Sequence, residues 1–192
     1  MPVQKVNDTS VLDAALYCFR TRGYHGTSMA DIAEHLGILK GSLYHYYPSK
    51  EALMLKLLQN VRDYFQRKAF EQAKDPNLPP DLRMARFVEV ASRFYQHPNQ
   101  ACLMGSTGLH TFADQPVFQP VIRGFFQDWI DAFAAIFSAH LPAEEARQLA
   151  EQSVAEVEGA ILMMCLMNNL SFFQQAMQQM QQRAALTPLK PA

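Results

Sequence analysis

The chain has 192 residues, 49% of them hydrophobic, with 17 Lys plus Arg against 18 Asp plus Glu and a net charge of −1. That length and apolar content allow one substantial core, or a small domain joined to a larger one, and the near-neutral charge excludes a protein that coats nucleic acid indiscriminately. No apolar run reaches membrane-span length, and Met1 to Ser10 carry no secretory or arginine-rich targeting pattern, so a cytoplasmic protein with no membrane partner is expected.

Three widely and irregularly spaced cysteines, Cys18, Cys102 and Cys165, suggest reduced thiols rather than a disulfide framework or a zinc-type pair. No metal and no cofactor are expected. Charge is unevenly spread: from Met1 to Lys68 nine basic residues face six acidic ones, and the remainder has eight against twelve. The amino-terminal third is the basic end.

Apolar residues recur three or four positions apart almost throughout, and no stretch alternates like a strand, which predicts an all-α protein. A first helix over Thr9 to Arg22 places Val11, Ala15, Leu16 and Phe19 on one face and stops at Gly23. A second starts at Ser28 as N-cap, with Asp31 able to reach back to the free amides, and buries Met29, Ile32, Ala33 and Leu36. Gly37 makes the turn, and Lys40 to Tyr46 form a third, short helix with Leu43 inward.

Ser49 caps a long helix to about Lys74, and proline-rich breaks then separate helices over Asp81 to Gln96, Ala101 to Phe112 and Pro116 or Pro120 to His140. The last of these is apolar over most of its circumference and belongs in the middle of a bundle. Helices over Ala143 to Met167 and Leu170 to Ala185 complete the chain.

Ala33, Gly37 and Leu43 stand where a helix-turn-helix needs a small crossing residue, a turn glycine and an apolar anchor. Lys40, Gly41, Ser42, Tyr44 and His45 are then left on the outer side of the third helix. Glycine in so short a helix costs roughly 1 kcal/mol against alanine, which suggests a need for close approach. Lys40 suits a guanine edge or a phosphate, Ser42 a base edge, and Tyr44 and His45 phosphates, sugars or a thymine methyl. Thr27, Ser28 and Lys50, near helix starts, are further candidate phosphate contacts.

The run "FRTRGYHGTSMADIAEHLGILKGSLYHYYPSKEAL" resembles the amino-terminal domain of the tetracycline-repressor (TetR/AcrR) family of bacterial regulators. Leu39 departs from the pattern, standing where that family often has a capping Ser or Thr. The resemblance implies a homodimeric repressor of double-stranded operator DNA, with a helix-turn-helix domain over 1–48 and a ligand-binding and dimerisation domain over 49–192. It also implies a pocket for a small-molecule effector and dimerisation through the last two helices. Val154, Val157, Ile161 and Met164 form one apolar seam on the penultimate helix, and Phe173, Met177 and Met180 another on the last. Paired across a two-fold they make a four-helix interface; alternatively both seams pack inside one subunit.

Phe94, Phe126, Trp129 and Met163 are candidate pocket residues, each also at home in a core. "ACLMGSTGLH" resembles a segment of a family branch that senses electrophiles or oxidants at the position of Cys102, an alternative to a reversible ligand. His110, four residues before Asp114, is a further ligand candidate. No nucleophile with its base and orienting group declares itself, so no enzyme is expected. A helical carrier or enzyme with a DNA-binding-like head is the reading from a different class.

Overall fold

The computed structural model describes residues 7–185, so residues 1–6 and 186–192 of the two expected domains lie outside the described residues. Helices α1 (Asp8–Arg22), α2 (Met29–Leu36) and α3 (Lys40–Tyr46) are followed by α4 (Lys50–Phe65), which runs on through a π-helical turn (Gln66–Phe70) into a last α-helical turn (Glu71–Ala73). Then come α5 (Pro80–Phe94), α6 (Leu103–Thr111), a 3-10 turn (Pro116–Phe118), α7 (Gln119–Phe137), α8 (Ala143–Leu166) and α9 (Ser171–Ala184). Among the described residues there is no strand, and no helix is long and apolar enough to cross a membrane.

By packing, the chain forms two compact units, and the division is not a single cut between residues 48 and 49. The first holds the described residues up to Val61 with Ala101–Ile122; the second holds Arg62–Gln100 and the described residues from Arg123. The helices α4 and α7 therefore each contribute to both.

In the first unit α1 opens one residue earlier than the apolar pattern suggests, because Asn7 caps it. Asn7 Oδ1 accepts the Ser10 amide at 2.9 Å while Ser10 Oγ accepts the Asn7 amide at 3.0 Å. α2 is capped as its sequence predicts: Ser28 Oγ accepts the Asp31 amide at 3.2 Å, and Asp31 Oδ2 accepts the Ser28 amide at 2.7 Å. These bonds to Ser28 hold the Asp31 carboxyl below its usual range. Gly37 ends α2 in the left-handed region at φ 67°, where its missing Cβ removes the steric penalty, and the Ile38 amide bonds back to the Ala33 carbonyl at 3.0 Å.

Val11, Ala15, Phe19, Ile32, Leu43, Leu53 and Met54 are essentially sealed from water in this unit. The 101–122 segment joins it through specific bonds: Arg20 Nε donates to the Ala101 carbonyl at 3.0 Å, His25 Nε2 lies 3.0 Å from the His110 carbonyl, and Tyr24 meets Phe118 edge-on at 5.4 Å.

The second unit centres on aromatic rings. Phe70, Phe87 and Phe133 are buried, with Phe87 and Phe133 edge-to-face at 4.8 Å and Phe70 and Phe87 stacked at 6.4 Å. Such pairs add roughly 0.5–1.5 kcal/mol each beyond area burial. Buried Arg83 ties the unit together: its guanidinium donates to the carbonyls of Leu78 at 2.8 Å, Ala135 at 3.2 Å and Ala73 at 3.3 Å.

Candidate functional site

The third helix is too short to persist alone and is pinned from below. Leu43 is 0% exposed, and Tyr47, just past its end, is buried with its hydroxyl donating to Asp8 Oδ1 at 2.6 Å. Burial, then that bond to the Asp8 carboxylate, pushes the Tyr47 phenol well above its usual range.

With Leu43 inward, helical geometry turns Lys40, Gly41, Tyr44 and His45 outward, and all four are exposed; Ser42 is half-buried beside them. Lys40 Nζ lies 5.9 Å from the centroid of the Tyr44 ring, so cation and ring share one surface. A Cβ built on Gly41 meets no atom within 4 Å. The protein itself leaves room for a side chain there, which fits a glycine kept for something approaching from outside. The result is a short ridge with donors, rings and one cation on a buried apolar anchor, a shape and chemistry suited to the major groove.

Three residues expected near DNA divide differently. Ser28 is exposed but its hydroxyl is engaged with Asp31 in the α2 cap. Thr27 is buried, its hydroxyl donating to the carbonyls of Gly23 at 2.8 Å and Cys18 at 3.2 Å, so it closes the α1–α2 turn rather than facing outward. Lys50 also turns inward: Nζ donates to the carbonyls of Tyr24 at 2.9 Å and Thr27 at 3.1 Å, and burial lowers its pKa. Each carbonyl oxygen has two lone pairs, and the flexible ammonium fills acceptor capacity that the turn leaves open.

The expected effector residues are not brought together. Cys102 and His110 belong to the first unit. Cys102 is buried at the N-cap of α6, its Sγ accepting the Gly105 amide at 3.4 Å, and His110 is exposed. His110 does not pair with Asp114; the carboxylate faces His25 instead, at 3.5 Å. Met163 lies on the outer face of α8, 38% exposed.

The remaining three share the second unit. Phe126 stacks on Trp129 at 6.3 Å, Trp129 also contacts Phe87, Phe125 and Phe133, and Phe94 meets Phe65 edge-on at 5.1 Å. Trp129 Nε1 and Gln66 Oε1 are buried with no hydrogen-bond partner among the described residues. Gln66 lies on the π-helical turn, a feature the apolar spacing did not signal and one frequent at functional sites. Glu156 pairs with Arg183 in the same unit.

The expected dimer seams are also reassigned. Val154, Val157, Ile161, Met164, Phe173, Met177 and Met180 are all buried within the single chain, none more than 5% exposed. On α8 a second apolar stripe, roughly opposite, is open instead: Ala155 and Gly159 followed by Leu162 at 57% and Leu166 at 69% exposure.

Fold and site together define a helix-turn-helix DNA-binding protein with an appended helical unit. The model of the amino-terminal domain of bacterial regulatory proteins of the tetR family matches residues 11–57, and that of the LmrA/YxaF-like C-terminal domain of transcriptional regulators matches residues 83–179. The chain belongs to the TetR family of transcriptional regulators.

It is 27% identical over 157 residues to the HTH-type transcriptional repressor DhaR of Mycobacterium sp. (strain GP1), covering 79% of this chain and 78% of that one. It is 29% identical over 131 residues to the HTH-type transcriptional regulator RutR of Escherichia coli (strain K12), covering 67% of this chain and 59% of RutR. A crystal structure of a TetR transcriptional regulator from Legionella pneumophila shares the fold at a TM-score of 0.79, with 23% identity over 93% of this chain and 98% of that one.

Proposed function

We propose that this regulator is a homodimeric repressor, released from operator DNA by a small and largely apolar effector bound in its second unit. The observation that carries the DNA-binding role is the outward set Lys40, Gly41, Tyr44 and His45 over the sealed Leu43 anchor. DhaR, a relative by sequence, is described as a repressor, which supports that sign of regulation.

The aromatic cluster around Trp129 supports an effector site. Its indole N–H is a buried donor without a partner among the described residues, and an aromatic molecule bearing an acceptor would relieve that cost. Two copies would meet through the open stripe of α8. A protein of this kind acts by binding and turns over no substrate. Because α4 is common to both units, a shift of its π-helical turn has a covalent route to the reading head.

Trp129 is the only tryptophan in the chain, so its emission reports on the site directly. The test is a screen of aromatic compounds by tryptophan fluorescence, followed by titration of each binder against the protein–operator complex. Linkage requires that a compound weaken operator binding by the same factor by which operator weakens the compound. A binder that shifts Trp129 emission yet has equal affinity for free and DNA-bound protein contradicts the proposal.

A further inference from the structure

Leu39 is a large apolar side chain left in water at the leading edge of the reading helix. It is 80% exposed and serves as N-cap of α3 with extended backbone, φ −69° and ψ 142°, but its side chain makes no capping bond. Both facts are unfavourable to folding: leucine is among the poorest N-caps, and its burial energy is forgone. Nothing in the fold compensates, whereas Leu43 is turned inward and fully sealed and the neighbouring Ile38 is half-buried. A residue that stabilises neither its helix nor its core, adjacent to Lys40 on the ridge, has its return outside the chain.

Resting on the DNA-binding reading above, we infer that Leu39 reads a thymine in each operator half-site through its C5 methyl group. In the major groove the methyl of thymine is the apolar feature that separates one base pair from the others, and N-terminal residues of a recognition helix are the ones that meet base edges. Leucine has no donor or acceptor with which to read anything else. The cation of Lys40 next to it and the open space at Gly41 let this edge approach the duplex closely. A serine in its place would cap the helix and lose the apolar contact, so the residue exchanges helix stability for base discrimination.

The test uses the full-length protein. The preferred duplex is selected from random DNA, and each thymine of a half-site is then replaced singly by uracil, which removes only the methyl group. Affinities are measured for the wild type, Leu39→Ala and Leu39→Ser. The expected result is one thymine per half-site at which methyl loss weakens wild-type binding roughly four-fold, the factor that follows from transferring one carbon group out of water. That effect disappears in both variants while responses at other thymines persist, and Leu39→Ser melts at a higher temperature than the wild type because it gains a cap. Specific binding in which every uracil substitution affects wild type and Leu39→Ala equally overturns the inference and leaves the regulator reading intact. Failure to select any sequence overturns that reading, and the inference with it.

Discussion

The ammonium of Lys50 lies 2.9 Å from the carbonyl oxygen of Tyr24 and 4.2 Å from the centroid of its ring. A lysine at the start of α4 thus holds the end of the α1–α2 turn, and with it the orientation of α2 beneath the reading helix. Replacing Lys50 by Met removes two charge-assisted bonds to backbone carbonyls and is expected to cost about 1–2 kcal/mol of stability. The salt dependence of DNA binding separates this role from a phosphate contact. Lys50→Met should leave the slope of log affinity against log salt unchanged, whereas Lys40→Met should reduce it by about one. Equal slope changes in the two variants would return Lys50 to the DNA surface.

Arg83 makes the corresponding internal tie in the second unit, serving three backbone carbonyls from a buried position. Arg83→Met leaves those carbonyls without their donor and should destabilise the protein by about 3 kcal/mol. Arg83→Lys keeps the charge but not the fork of donors, and should recover less than half of the loss. Chemical denaturation of the three proteins checks both values.

Tyr47 gives a pH dependence with a definite sign. Burial and the Asp8 carboxylate raise its pKa above the ordinary 10.0, so above that pH the unfolded chain releases this proton while the folded chain retains it. Unfolding then becomes more favourable as pH rises. At neutral pH Tyr47→Phe should cost about 1 kcal/mol through the lost bond to Asp8. The gap between wild type and variant should narrow as pH climbs from about 9 to 11. Thermal melts across that range measure it, and a gap that widens would contradict the assignment.

The open stripe of α8 predicts where two copies meet. Leu166→Glu, at an exposed position, should shift the protein from dimer to monomer in sedimentation experiments without lowering the stability of the subunit. Met164→Glu, at a position with 0% exposure, should instead prevent folding. A dimer untouched by Leu166→Glu would move the interface elsewhere.

Most helices were legible because each has an apolar stripe of one period and a recognisable stop; α2 was the most legible, since Ser28 and Asp31 spell its cap. The ridge of α3 followed from Leu43, the single residue that sets which side faces in. What the sequence left open was geometry between stripes of equal character. α8 carries two apolar faces, one through Val154 and Ile161 and one through Leu162 and Leu166, and periodicity alone does not decide which is inward. Lys50 and Thr27 have the residue types of phosphate contacts near helix starts, but backbone carbonyls of Cys18, Gly23, Tyr24 and Thr27 take their donors. The π-helical turn at Gln66 and the return of 101–122 to the first unit depend on tertiary packing and have no local signature.

Binding measured over a range of salt concentrations, with genomic DNA fragments and the wild type, Tyr44→Ala and Lys40→Ala proteins, decides whether α3 reads DNA. One fragment should be held over competing non-specific DNA as salt rises, with that preference lost in Tyr44→Ala, binding weakened with a shallower salt dependence in Lys40→Ala, and melting temperatures unchanged in both. Equal binding by the variants, or no preferred fragment for the wild type, would contradict the assignment of α3 as the surface that reads DNA.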